Sequence, residues 1–363
     1  MRNIISHGWV HLHLDGATKW KRILQQTRPA LASIQALVLA LVVTAASRVV
    51  GQNATGETVI QKATEQFESS PMKTTFLGSG VFMLSGDGGN ITAIADPGST
   101  LLIDSGMDSR VTELSGALFK ATMRPVTRLV NTHWHFDHTG GNVYFGGEGV
   151  TIIAQENVKK RLSSVQDVPF TGIKDGHYPP QALPTLTYSS SMTLRQGSQQ
   201  LTLANYGPAH TDGDTIIYIA PANVAVVGDI FSNHFYPIID LASAGSIDGM
   251  IHSLDQVLAQ TDEQTKIVPG HGLVATRTDL QEYRDMLVQV RQRIKVLITA
   301  GKTIDQAVAA APTKEFDAKW GSGYVPPDVF TKMVFSSLVS SGSASLPSEY
   351  SLSVEESIGR TQR

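Results

Sequence analysis

Asn131-Thr-His-Trp-His-Phe-Asp-His-Thr-Gly-Gly-Asn142 brings His133, His135, Asp137 and His138 into six residues directly after the strand-like run Val126 to Val130. Side chains two apart on a strand point to the same side, so His133 and His135 can share one metal. Thr139-Gly140-Gly141 forces a turn just beyond, and the chain can there swing Asp137 and His138 toward a second metal. Imidazole nitrogen and carboxylate oxygen are donors that suit zinc. A lone histidine is ordinarily structural; four ligand-type side chains at this density read as a metal site.

Composition bounds what surrounds that site. A chain of 363 residues has room for one large domain or two, and 41% hydrophobic against 17% charged is a globular balance with a sizeable core. Lys+Arg 29 against Asp+Glu 32 gives a formal net charge of -3. No dense basic run appears in the body of the chain, which argues against a nucleic-acid partner and leaves a small-molecule substrate as the expected one. Cysteine is absent, so neither a disulfide framework nor a thiolate ligand is available.

Residues 1–47 read differently from the rest. Lys19, Lys21, Arg22 and Arg28 precede the apolar run Ala30 to Val43, and the small residues Thr44-Ala45-Ala46-Ser47 follow it; this is the layout of a secretory signal. The expectation is export, to the periplasm or the medium. Because Ala30 to Ala46 approaches the roughly 20 residues that span a bilayer, an uncleaved membrane anchor is the alternative. His11 and His13 repeat the His-x-His spacing inside this leader, but no further ligand follows them. Residues 48–75 are polar and read as an irregular linker with one short helix.

Beyond it, strand after strand ends on a ligand-type residue. Gly80 to Leu84 and Asn90 to Ile94 flank the glycine-rich turn Ser85-Gly-Asp-Gly-Gly89 and read as a hairpin. Thr100 to Ile103 ends at Asp104, Gln200 to Asn205 leads to His210, Val224 to Val227 runs into Gly228-Asp229, and Lys266 to Val268 runs into Pro269-Gly270-His271. Ser163 to Thr185 carries four prolines and no clear period, so a long lid-like loop is expected. Ile247, Met250, Ile251, Leu254, Val257 and Leu258 recur at helical spacing, and Thr278 with Gln281 reads as a capping box for a helix reaching Leu297. A last helix from about Asp328 to Val339 precedes a Ser-rich tail, 340–363, expected to be disordered.

This ordered set, Asp104, then His133-x-His135-x-Asp137-His138, then His210, Asp229 and His271, resembles the metallo-β-lactamase superfamily. The resemblance covers roughly Phe76 to Val274. It implies an α/β (α+β) fold, the four-layer αβ/βα sandwich: two mixed β-sheets face to face, helices outside, and the site along one edge of the sheets. The expected organisation is a catalytic domain over 76–275 and a C-terminal helical extension over 276–339. By position, the resemblance implies two zinc ions, one held by His133, His135 and His210, the other by Asp137, His138 and His271, with Asp229 bridging both. Asp104 would orient ligands or steady the loop behind them. The implied reaction is attack of a metal-bound hydroxide on an acyl bond of a β-lactam, amide or ester, with Asp137 passing a proton.

Substrate contacts are a weaker expectation. Asn142, Asn233, His234 and Tyr236 could line the cleft and donate to a developing oxyanion. Cysteine-containing lactamases of the family place Cys where Asp229 stands and Lys three residues later; here that later residue is Ser232. Lys174, His177 or His234 would replace the lysine if the long loop folds over the cleft. Asp229 is instead the pattern of glyoxalase II, a thioester hydrolase, though its glutathione-binding continuation is not recognisable in Ile230-Phe-Ser-Asn-His-Phe-Tyr236. An iron-dependent persulfide dioxygenase uses a similar His and Asp set and is the alternative of another class. Neither natural substrate nor oligomeric state is legible.

Overall fold

The computed structural model describes residues 59–86 and 88–340. The leader 1–47, the first part of the expected linker, and the tail beyond Ser340 lie outside the described residues, and the expectations for export, anchoring and tail disorder lie there with them. Among the described residues no helix is long and apolar enough to cross a membrane.

The chain begins with α1 (Val59–Ser69), then β1 (Lys73–Gly78), β2 (Val81–Ser85), β3 (Ile91–Ala95), β4 (Thr100–Ile103), α2 (Val111–Thr122) and β5 (Val126–Val130). Two short helices, α3 (Phe136–Thr139) and α4 (Asn142–Gly147), lead to β6 (Thr151–Gln155) and α5 (Glu156–Leu162). The strands β7 (Val165–Val168), β8 (Ile173–Gly176), β9 (Leu186–Tyr188), β10 (Ser191–Gln196), β11 (Gln199–Ala204), β12 (Ile216–Ala220) and β13 (Val224–Ser232) follow. The chain then runs through α6 (Ile247–Gln260), β14 (Lys266–His271), α7 (Arg277–Thr299), α8 (Ile304–Ala309), α9 (Asp317–Trp320) and α10 (Pro327–Ser340).

Two mixed sheets form. The first has the order β1-β2-β3-β4-β5-β6-β9, the second β10-β11-β12-β13-β14. β1 to β4 pair antiparallel, whereas β4, β5, β6 and β9 pair parallel; in the second sheet only β13 and β14 run parallel.

The period-2 alternation of strands assigns each apolar residue to a layer. Leu101, Ile103 and Val130 of the first sheet meet Leu201, Leu203, Ile217, Val226 and Val268 of the second in one buried cluster. Their neighbours Leu102 and Leu129 face the other way, onto Leu114 and Leu118 of α2. On the far side Ala225 and Val227 of β13 pack with Met250 and Leu254 of α6 and with Leu280, Tyr283 and Leu287 of α7. The result is helix, sheet, sheet, helix, the architecture that two half-apolar sheets need to bury both faces.

Four details differ from the sequence reading. The short helix expected in the linker, α1, is part of the core and not of a linker, because its Val59, Ala63 and Phe67 are buried in the core cluster on the side of the second sheet. Ser163 to Thr185 is not one long loop, because β7 and β8 pair as a hairpin with Val165 opposite Gly176. The capping box of α7 is formed by Thr276 and Asp279, two residues before the expected pair; the box at Thr303 and Gln306 opens α8. The C-terminal helices are part of the outer layer, since Phe330, Met333 and Val334 of α10 join the same buried cluster as α6 and α7.

Candidate metal centre

Parallel pairing of β4 with β5 and of β13 with β14 brings residues at the carboxyl ends of these strands to one edge. Asp104 follows β4, the His133 to His138 segment follows β5, Asp229 lies near the end of β13, and His271 closes β14. His210 joins them from the turn between β11 and β12. Gly270 makes the last approach possible: a Cβ there would collide with Oδ1 of Asp229.

All eight of these side chains are buried. Ligand atoms of His133, His135, His210 and Asp229 lie within 4.8 Å of one another, as do those of Asp137, His138 and His271. Asp229 reaches both sets: Oδ2 is 3.7 Å from Nε2 of His210 and 3.3 Å from Nε2 of His271, while Oδ1 is 3.1 Å from Nε2 of His138. Asp137 Oδ2 lies 3.3 Å from His271 Nε2.

Behind four of the five rings, a protein group holds the nitrogen that faces away. His133 Nδ1 meets Thr132 Oγ1 at 3.0 Å, His135 Nε2 meets Asp240 Oδ2 at 3.3 Å, His138 Nδ1 meets Asp104 Oδ2 at 2.8 Å, and His210 Nδ1 meets the Ile238 carbonyl at 2.8 Å. Such contacts set the direction in which the opposite nitrogen offers its lone pair. Asp104 is itself over-determined: it sits at φ 62 and accepts from the backbone N–H and the hydroxyl of Thr132, both at 2.7 Å. Asp is among the few residues that tolerate this left-handed backbone.

The electrostatics suit a cation. Burial, and then the neighbouring His138, pushes His133 well below the usual imidazole value, and burial with His135 pushes His210 down to about 4. Both rings are therefore neutral lone-pair donors at physiological pH. Burial also opposes a charge on His138, but Asp229, Asp137 and Asp104 outweigh it and raise that ring. His133 Nε2, His138 Nε2 and Asp229 Oδ1 are buried without a hydrogen-bond partner. Three orphaned polar atoms converging on one spot cost free energy unless something fills it, and nitrogen and oxygen donors of this kind fit metal ions.

The expected substrate contacts fare differently. Asn142 is fully buried and its amide is spent on Asn131, Ser105 and the Ala182 carbonyl, so it braces the loop behind the cluster instead of donating into a cleft. Tyr236 is likewise no cleft residue: its hydroxyl donates to the Thr313 carbonyl and to Asp317, and its ring stacks on Phe330. Asn233 donates to the Leu273 carbonyl and ties down the turn after β14. His234 is exposed in a turn at φ 68. Lys174 is exposed and pairs within its own hairpin, at 2.9 Å from Asp167, and His177 is exposed at φ 58.

Asp240 is the residue that sequence reasoning missed. It accepts from the backbone N–H groups of Ala242 and Ser243, and its own backbone N–H donates to the His210 carbonyl, so one side chain and one peptide steady two rings of the cluster. The only sequence signal is Asp240-Leu-Ala-Ser243, a capping pattern. Asp175 was also missed. It lies on the β7–β8 hairpin, accepts from Tyr178, and burial raises its carboxyl, with His135 and Asp137 close enough to be felt.

Residues 84–271 match the family model described as the metallo-beta-lactamase superfamily. The chain is 25% identical to an acyl-coenzyme A thioesterase, MBLAC2, of Bos taurus over 54% of this chain and 79% of that protein. It is 22% identical to a metallo-beta-lactamase type 2 of Bacteroides fragilis over 40% of this chain and 53% of that one. In fold it resembles a metallo-beta-lactamase from Pontibacter korlensis, with TM-score 0.50 and 19% identity, covering 60% of this chain and 99% of the other. With the family model spanning just over half of its length and the ligand-type residues gathered at one sheet edge, the chain belongs to the metallo-β-lactamase superfamily and is a hydrolase of that superfamily.

Proposed function

We propose that the protein is a binuclear zinc-dependent acyl hydrolase of β-lactamase-like type. The observation that carries this reading is the convergence of His133, His135, His210, Asp229, Asp137, His138 and His271 in two groups, with buried atoms that no hydrogen bond satisfies. His133 Nε2, His135 Nδ1 and His210 Nε2 would hold one zinc, Asp137, His138 and His271 the other, and Asp229 would face both. When bound, the metals would acidify a water and polarise the acyl oxygen. The chain's own part is to fix these donors, through Thr132, Asp240, Asp104 and the Ile238 carbonyl, and to offer Asp137 as the carboxylate that holds a proton beside the reacting centre.

On substrate, the proposal is an acyl compound without a strong demand for a carboxylate grip. Ser232, where a lysine would hold a β-lactam carboxylate, is buried. Loss of such a charge-assisted contact is worth about 1.5 to 3 kcal/mol, or roughly ten- to a hundredfold in affinity. Lys174, His177 and His234 are turned to solvent or to other partners, and the hairpin next to the centre brings Asp175 instead. Penicillin and cephalosporin turnover should therefore be weak. A second reading, thioester hydrolysis, is favoured by the likeness to the bovine acyl-coenzyme A thioesterase. One preparation assayed against a β-lactam, a lactone, S-lactoylglutathione and an acyl-coenzyme A separates them. Thioester turnover far above the rest would replace the lactamase-like reading. Export, through the basic leader and apolar run of residues 1–47, is part of the proposal; fractionation that finds an unprocessed soluble cytoplasmic form would remove it.

A further inference from the structure

Four of the five rings at the centre are aimed by a hydrogen bond to the nitrogen facing away. His271 is the exception. Among the described residues its ring has polar contacts only on the Nε2 side, to Asp137 and Asp229 at 3.3 Å each. What it has instead is an aromatic seat. Phe67 of α1 lies face to face with the imidazole, centroids 5.4 Å apart and planes within 5°, and Tyr324, between α9 and α10, stands edge-on to it at 5.5 Å and 72°. Tyr324 also meets Phe67 at 5.8 Å and 74°, and Phe235 stacks on Tyr324 at 6.0 Å. Phe67 and Tyr324 are both buried, at 6% and 4% exposure, so neither ring is free to swing away.

Both lie outside residues 84–271, the segment that matches the family model. Phe67 is in turn pinned. Arg110 Nη1 donates to the Phe67 carbonyl at 2.6 Å and to the Ser70 carbonyl at 2.7 Å, and also to the Gly86 carbonyl. Three residues on in sequence, Gly89 donates its N–H to the Asp137 carbonyl at 3.0 Å, and its Cα packs on the His138 ring. One guanidinium thus ties the end of α1 to Gly86, three residues before the glycine that packs against Asp137 and His138. An aromatic pair, unlike burial alone, depends on the relative orientation of the rings.

We propose that Phe67 is the positioning residue of His271, and that its stacked ring, with Tyr324, governs how firmly the Asp137, His138 and His271 position holds its metal. This rests on the two-zinc reading above. Its role is to set the direction of the His271 ring.

The test is a zinc titration of the full chain against a chromophoric chelator, resolving the two binding steps, for the unaltered protein and for Phe67→Ala, Phe67→Tyr and Val59→Ala. Loss of support behind a ligating imidazole typically costs about 10- to 100-fold in metal affinity. Phe67→Ala should weaken one step by that much and leave the other within about threefold of the unaltered protein. Phe67→Tyr keeps the stacked face and should restore the weakened step. Val59→Ala trims the buried side of the same helix and should lower thermal stability with both zinc steps unchanged. Should Phe67→Ala fail to fold, Phe67→Leu, which keeps apolar bulk without a ring face, takes its place with the same expected loss. Equal loss in Phe67→Ala and Val59→Ala, or no loss in either, would overturn the inference while the two-zinc reading stands. An unaltered protein that takes up fewer than two zincs would overturn both.

Discussion

The two halves of the candidate centre are built from different material. His133, His135 and His210 are held from behind by Thr132, Asp240 and the Ile238 carbonyl, all within the sandwich and all by polar contacts. Asp137, His138 and His271 mix one such contact, Asp104 behind His138, with an aromatic seat supplied by segments before and after the family-matched region. Hydrogen bonds to a ring nitrogen set direction and tautomer together; stacking sets direction alone. The first position is supported from within the sandwich, whereas the second draws part of its support from rings on the flanking segments.

The substitution with the largest expected effect removes what the halves share. Asp229→Ala should lose zinc from both positions and lower turnover by at least about a hundredfold, since a ligand loss exceeds the 10- to 100-fold typical of its supporting residues. Metal analysis of the purified variant beside its kinetics checks this, and full activity with both metals retained would break the idea of a common member.

Asp240→Asn comes next and should separate the halves from the other side. An amide keeps the shape but offers His135 Nε2 a weaker acceptor, so the His133, His135 and His210 position should lose about tenfold in zinc affinity while the other position is unchanged. Loss confined to the other position would reverse the assignment. Asp104→Ala sharpens the comparison within the second half, because it strips His138 of its support and Thr132 of two hydrogen bonds. Stability should fall by about 2–3 kcal/mol for those bonds and the affinity of the second position by about tenfold, read by denaturant unfolding and zinc titration.

How much of this was legible in the chain follows from where each residue's role is decided. His133, His135, Asp137 and His138 stand out by their density after one strand, while Asp104, His210, Asp229 and His271 follow short apolar runs and are singled out only by the resemblance of the whole ordered set to the family. Asp240 and Phe67 matter through neighbours that are 105 and 204 positions away in sequence, His135 and His271, and no local pattern announces such contacts. The α1 stripe Val59, Ala63, Phe67 has helical spacing but sits among polar residues, so only tertiary burial shows that it belongs to the core. Asn142 and Tyr236 have amide and hydroxyl donors that could serve an oxyanion, whereas those polar atoms are claimed by Asn131 and Asp317 behind the cluster.

That last point yields the smallest effect. Tyr236→Phe removes a buried hydroxyl from Thr313 and Asp317 and should cost about 0.5–1.5 kcal/mol of stability, with kcat/KM unchanged on whatever acyl substrate is turned over. A fall in kcat/KM without a fall in stability would return Tyr236 to the cleft.

On the proposed reading, two zinc ions held by these buried histidines and aspartates make this chain an acyl hydrolase. Elemental analysis of the purified full chain, coupled to an acyl-hydrolysis assay before and after chelation, tests that reading. About two zincs per chain are expected, with activity abolished by the chelator and restored by zinc alone. One iron per chain, or hydrolysis that persists in the metal-free protein, would contradict it.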